Sequence, residues 1–302
     1  MTQATVETGV RTPDFLIAGA SRCGTTSLFR YLSEHPEISM AVPKELHFFN
    51  RDANFRAGMS TYYRHFGGNP RSTVVGEATP SYFTHGLTID ENDNDQYDPE
   101  DDSASRIAAA LPEMKSIISL RDPVRRAYSQ FCKNRSLNRE PCERFLDAIH
   151  EECDGRRAPP SRFSWLHQNS YALHLRKWLD RFPADRVKVI IFEHWTGSPE
   201  MTYRDLCEFL GVSDDFQPRC FAAINQGWTP RRHWVDRVTR SFPGNRLAHW
   251  ANHRNRSVGY PPLNKASYQE VRRLLSSEIE EIETILGVSL TIWNWDETHE
   301  TR

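Results

Sequence analysis

The chain has 302 residues, 38% of them hydrophobic, and its 38 basic and 40 acidic side chains leave a formal charge of −2. A balance so near neutral gives no footing for general nucleic-acid binding, and no apolar run approaches the roughly 18 residues of a membrane span. The length allows one large α/β domain or two ordinary ones, with ample material for a core.

Residues 1–13 read as a polar tail with no apolar signal core, so the chain is expected in the cytoplasm. The six cysteines show no CxxC pair and read as thiols of a reducing compartment. Phe15 to Ala18 is a short apolar run, the length of a buried parallel strand. Gly19 to Gly24 is a turn of small and polar residues, and a helix is predicted from Thr25 to about His35-Pro36. Ile38 to Val42 is a short extended segment leading into Lys44-Glu-Leu-His-Phe-Phe49. Residues 51–72 read as irregular, with a short helix near Tyr62-Tyr63, and Thr73 to Glu77 as a strand. The stretch at about 88–103 reads as a solvated acidic loop, with eight carboxylates between Asp90 and Asp102.

Lys115 to Leu120 is a further strand and runs straight into Arg121-Asp-Pro-Val, where Pro123 suits the first turn of a helix. Tyr171 to Phe182 is an amphipathic helix, Arg186 to Phe192 a strand and Tyr203 to Leu210 a helix. A last helix is predicted over 265–286, with Val271, Leu274, Leu275, Ile279, Ile282 and Leu286 as its core stripe. Strands alternating with helices predict one α/β domain over 14–302. Its sheet is doubly wound and mainly parallel, is flanked by helices, and binds ligands beyond the strands' carboxyl ends. Two metal-like spacings fail. Asp90, Asn92 and Asn94 lack the sixth-position glycine of a calcium loop, and Trp250 stands between His249 and His253 where a zinc protease has glutamate.

The turn after the first strand carries the chemistry. A strand that breaks at a glycine turn and feeds a helix aims free N–H groups at one small space, which suits a phosphate. Gly19 and Gly24 have Walker spacing, but Thr25-Thr26 follow Gly24 in place of Lys-[Ser/Thr]. The lysine for a triphosphate is missing, and Arg22 sits before the second glycine instead. The alternative is a P-loop kinase or NTPase, with Val189 to Glu193 as a Walker-B-like strand.

Three stretches together resemble the sulfotransferases that use 3′-phosphoadenosine 5′-phosphosulfate (PAPS), above all the heparan-sulfate and bacterial branches. Ser21-Arg-Cys-Gly-Thr-Thr-Ser27 is similar to the 5′-phosphosulfate loop of that family, Leu120-Arg-Asp-Pro-Val-Arg-Arg-Ala-Tyr-Ser129 to its 3′-phosphate motif, and Lys44 to Phe49 to the segment with its catalytic base. Gly76 to Phe83, Arg254 to Tyr260 and Leu286 to Trp293 are weaker matches. The resemblance implies a P-loop-like fold and sulfuryl transfer to a hydroxyl of a sugar, glycolipid or small metabolite. PAPS would be the donor and the bisphosphate PAP the product, with no metal required. It implies donor contacts from Arg22, Cys23, Gly24, Thr25, Thr26 and Ser27, a 3′-phosphate clamp of Arg121 and Ser129, and a late loop with Arg256, Gly259 and Tyr260. Arg22 would also steady the leaving phosphate. Glu45 would be the general base, with His47 as helper or substitute; an extended backbone would put both on one face. Ala78 stands where some glycan-modifying members carry a lysine, and Lys44 or Lys115 are the candidates to replace it.

Overall fold

A computed structural model describes residues 11–67, 71–157, 161–221, 228–230, 235, 238–239 and 246–295. In chain order the elements begin with β1 (Phe15–Gly19), α1 (Thr25–Ser33), β2 (Ile38–Met40), α2 (Asp52–Arg56), α3 (Met59–Tyr63) and β3 (Val74–Ala78). There follow β4 (Leu87–Ile89), β5 (Asp95–Tyr97), α4 (Ser103–Ala110), β6 (Lys115–Leu120), α5 (Pro123–Ser136), α6 (Phe145–Cys153) and α7 (Tyr171–Leu179). The chain continues through β7 (Val187–Ile191), α8 (Phe192–Gly197), α9 (Pro199–Leu210), β8 (Trp228–Pro230), α10 (Arg246–Arg254), β9 (Arg256–Val258), α11 (Lys265–Leu274) and α12 (Ser276–Leu286).

Five strands form the main sheet in the order β2-β3-β1-β6-β7, every neighbouring pair parallel. β1 is central and fully buried because alternate residues feed two cores. Leu16 and Ala18 join Ile118, Leu120 and Val124 on one face; Phe15 and Ile17 join Leu28, Leu32 and Leu206 on the other. That two-sided burial explains an unbroken apolar run where a half-exposed strand would alternate. It also brings the carboxyl ends of β1, β3 and β6 together at one edge, where the polar motifs begin.

Four expectations are corrected. The last helix is two, because the backbone turns at Leu275 (φ −102°, ψ 9°); Leu275 is buried and Leu274 faces solvent. The acidic stretch is not simply solvated. β4 and β5 pair as an antiparallel hairpin, and Asp102 is buried, accepting from the Ser105 amide as the cap of α4. Lys115 opens β6 at the edge opposite the phosphate turn, where its ammonium donates to the Phe209 carbonyl (2.7 Å), so it cannot replace a lysine at position 78. Residues 44–47 are not extended, since Glu45 (φ 64°) and His47 (φ 51°) both adopt left-handed backbone.

Candidate active site

The turn between β1 and α1 leaves the first amides of α1 unbonded, and no side chain caps them. Within the turn the Cys23 amide donates to Ala20 O (3.2 Å) and the Ser27 amide to Gly24 O (2.9 Å). An anion would therefore meet the amides of Thr25 and Thr26 together with the partly open Thr26 hydroxyl. The expected role of Cys23 narrows to its backbone. Its thiol turns inward to the Tyr171 hydroxyl (3.8 Å), and burial pushes its pKa up to about 11. The Ser27 hydroxyl is likewise buried, hydrogen-bonded to Tyr31.

Arg22 reaches across to α5. Its Nε and Nη2 donate to Ser129 Oγ (3.1 and 2.9 Å), and Nη2 also donates to the Tyr260 hydroxyl (3.0 Å). The guanidinium thus stands beside the 3′-phosphate motif, not over the 5′ end to which the sequence assigned it. Arg121 lies next to it, stacked on Phe192 (4.7 Å), with its buried Nε lacking a hydrogen-bond partner. Asp122 is turned away from Arg121 as the cap of α5, accepting from the Val124 and Arg125 amides and the Tyr268 hydroxyl (2.8 Å). Gly259 turns the chain at φ 87° so that Tyr260 closes over Arg22. The side chain of Arg256 lies outside the described residues, as do Arg231 and Arg232.

Glu45 faces the same cleft. Its amide donates to the Ala78 carbonyl (3.0 Å), which ties the segment to the end of β3. Its carboxylate pairs with Lys44 on one side and with His47 Nε2 (3.6 Å) on the other. The hydrogen bond to His47 and the Lys44 ammonium hold its pKa at about 2, against desolvation, so the group is a carboxylate at any working pH. His47 stands behind Glu45, with Nδ1 near Asn50 Oδ1 (3.3 Å) and Ser81 Oγ (3.4 Å). No pattern singled out Asn50 or Ser81, because short polar residues near a motif are common.

Beneath this loop Tyr82 Oη accepts from the Phe48 and Phe49 amides (2.8 and 3.3 Å). Glu77 is fully buried beside it, and neither carboxyl oxygen makes a well-formed hydrogen bond. Burial raises its pKa to about 8, with the Tyr82 and Thr79 hydroxyls offsetting part of the rise. The folded protein therefore keeps a proton that the unfolded chain releases above pH 4.5. Stability from this group is complete below that value and falls by up to ~1.4 kcal/mol per pH unit until about pH 8. Glu77→Gln is expected to flatten this slope; urea unfolding at pH 5 and pH 8 checks it, and an unchanged pH dependence would count against a neutral Glu77.

The phosphate turn, Arg22, Arg121, Ser129, Glu45 and Tyr260 border one cleft of about 1420 Å³, while His47, Asn50, Glu77 and Tyr82 stand behind its lining. Its far wall holds residues the sequence did not flag: Arg51 and Arg162 both donate to Asp93 (2.9 and 3.2 Å), and Arg162 also pairs with Asp95 (3.0 Å). The acidic hairpin is thus part of the cleft. Phe83 and Trp165 are core residues, each almost fully buried. Glu193, the Walker-B-like acid, accepts from the Asp122 amide (3.1 Å) and Trp293 Nε1 (2.9 Å). Its lone pairs serve the fold, away from any magnesium role. Among the described residues no cluster of His, Cys, Asp and Glu is suited to a metal, and no helix is long and apolar enough to cross a membrane.

The sequence model described as the sulfotransferase family matches residues 13–217. The chain belongs to that family. The sulfotransferase of Alicyclobacillus acidocaldarius is similar in structure, with a TM-score of 0.68 and 26% identity over 94% of this chain and 99% of that one. The mouse bifunctional heparan sulfate N-deacetylase/N-sulfotransferase 4 is 28% identical over 213 residues, 68% of this chain and 23% of that protein. The mouse heparan sulfate glucosamine 3-O-sulfotransferase 3B1 is 26% identical over 200 residues, 66% of this chain and 46% of that protein. The chain therefore spans less than half the length of these curated relatives. Membership of the sulfotransferase family disfavours the kinase alternative, in line with the missing loop lysine.

Proposed function

We propose that this sulfotransferase moves the sulfuryl group of PAPS to a hydroxyl of a carbohydrate, glycolipid or small metabolite and releases PAP. The observation that carries the reading is convergence. The uncapped N-terminus of α1, the Arg22–Ser129–Arg121 cluster and the Glu45 carboxylate border one cleft. Two phosphates on one ribose need two separate anion sites, and these lie on adjacent strand ends. The orphaned Arg121 Nε fits a bound anion, since a buried donor left without a partner is costly. PAPS would supply an activated sulfuryl group on a good leaving phosphate. The chain's own residues hold both phosphates, and Glu45 takes the acceptor proton as the hydroxyl oxygen turns acidic. The same reading takes the enzyme to be cytoplasmic, as its cysteine pattern suggests.

The test needs no acceptor. PAP at a hundred times its dissociation constant should stabilise the protein by about 2.7 kcal/mol and raise Tm by several degrees. Magnesium–ATP at equal concentration should leave Tm unchanged. A shift with magnesium–ATP and none with PAP would reverse the assignment. The acceptor is then sought by incubating cell extracts and heparan-type glycans with labelled PAPS.

A further inference from the structure

Most cations of the cleft are already engaged. Arg22 is bound to Ser129 and Tyr260, Arg51 and Arg162 to Asp93, Arg125 to Asp122, and Arg121 to the Arg22 carbonyl, while Lys44 behind the lining pairs with Glu45. Lys133 and Arg139 also border the cleft, and their side chains make no hydrogen bond or ion pair among the described residues. Lys133 lies on α5, four residues after Ser129, so the two share a helix face. Arg139 lies beyond the end of α5, its amide bonded to Asn134 O (2.8 Å).

We infer that Lys133 binds the sulfonate of the donor, filling from α5 the role for which Ala78 offers no cation. The inference rests on the PAPS reading above. The in-line attack puts sulfur between the phosphate turn and Glu45, and Lys133 lines the same cleft within the field of Glu45 and Arg22. Desolvation and the like charges of Arg22, Arg139 and Lys44 lower its pKa, while Glu45 raises it. A lysine kept among cations without a carboxylate partner is matched by an incoming anion. The sulfonate carries that charge to this part of the cleft. During transfer the bond from sulfur to the bridging phosphate oxygen breaks as that from sulfur to the acceptor oxygen forms, and the acceptor proton goes to Glu45. Lys133 keeps its own proton throughout and acts as a fixed charge and donor.

Calorimetric titration of the full chain with PAPS and with PAP separates this contact from the rest of the nucleotide site. Lys133→Met should weaken PAPS by about tenfold or more and change PAP by less than about twofold, as expected for one charge-assisted hydrogen bond. Lys133→Arg should restore PAPS binding to within about threefold. In the wild type the preference for PAPS should shrink as pH rises and the ammonium deprotonates, and in Lys133→Arg it should not. Equal PAPS affinity in Lys133→Met and wild type would overturn the inference, as would an equal loss for both nucleotides. Wild-type protein that binds neither nucleotide would overturn the donor reading itself, and this inference with it.

Discussion

Glu45→Gln is expected to lower turnover by about 100-fold or more while leaving the affinity for PAP within about twofold. The amide keeps the shape of the side chain, and the backbone N–H of residue 45 still donates to the Ala78 carbonyl, but the amide cannot accept the proton. The low pKa of Glu45, about 2, does not argue against a base. An alcohol hydroxyl is a weak acid at the start of the reaction, and it becomes a strong one once its oxygen bonds to sulfur. A weakly basic carboxylate is sufficient if the proton moves late, and it has the advantage of being ionised before the acceptor arrives. The sign of the pH effect follows. Depressed from its ordinary 4.5, Glu45 stays charged until the pH falls towards about 2, so it should add no acid limb to kcat/KM between pH 4 and pH 8. Rates of sulfate transfer from labelled PAPS across that range, for wild type and variant, check both points. A Glu45→Gln enzyme with near-normal turnover would pass the role elsewhere. His47 is then the nearest alternative, because its Nε2 already faces the same carboxylate.

What the sequence made legible, and what it hid, follows from how local each signal is. β1 lies where a short apolar run placed it, because a strand buried on both faces reads as near-continuously apolar, and β3, β6 and β7 lie within a residue of the predicted segments. The glycine turn between β1 and α1 was legible because few sequences join a strand to a helix through paired glycines and consecutive hydroxyls. The meeting of Glu45 and His47 was expected from extended backbone; it comes instead from two left-handed residues, which no side-chain pattern encodes. The break at Leu275 was invisible because Val271, Leu275, Ile279 and Ile282 keep one helical period through it. Nothing local marked Arg51, Asp93 or Arg162 either, since their ion pairs join segments about 40 and 70 residues apart. Arg22 was assigned to the near end of the donor by position in the motif. Its positive φ (71°) and long side chain send the guanidinium to Ser129 instead.

Gly24→Ala should cost the fold about 2–5 kcal/mol and weaken PAP binding at least about tenfold, since two penalties meet at this position. Gly24 has φ 78° and ψ 10°, a left-handed conformation that costs an L-residue roughly 1–2 kcal/mol. A Cβ there would also lie 2.3 Å from Trp195 Cζ2 and 2.9 Å from Phe192 Cε2. Trp195 cannot easily yield. Its indole donates to Ser119 Oγ (3.0 Å), Ser119 donates in turn to the Cys23 carbonyl (2.7 Å), and the ring is buried. Overpacking of that kind adds roughly 1–3 kcal/mol. Any relief through Phe192 disturbs the ring on which Arg121 stacks, so damage to the turn spreads to Arg121 and the proposed second anion site. Gly211→Ala separates the two penalties, because Gly211 has nearly the same φ (76°) and no atom within 4 Å of its Cβ position. That variant should lose only about 1 kcal/mol and bind PAP normally. Thermal unfolding and PAP titration of the pair provide the check. If Gly24→Ala proved no worse than Gly211→Ala on both measures, the rigid aromatic wall behind the phosphate turn would have to be given up.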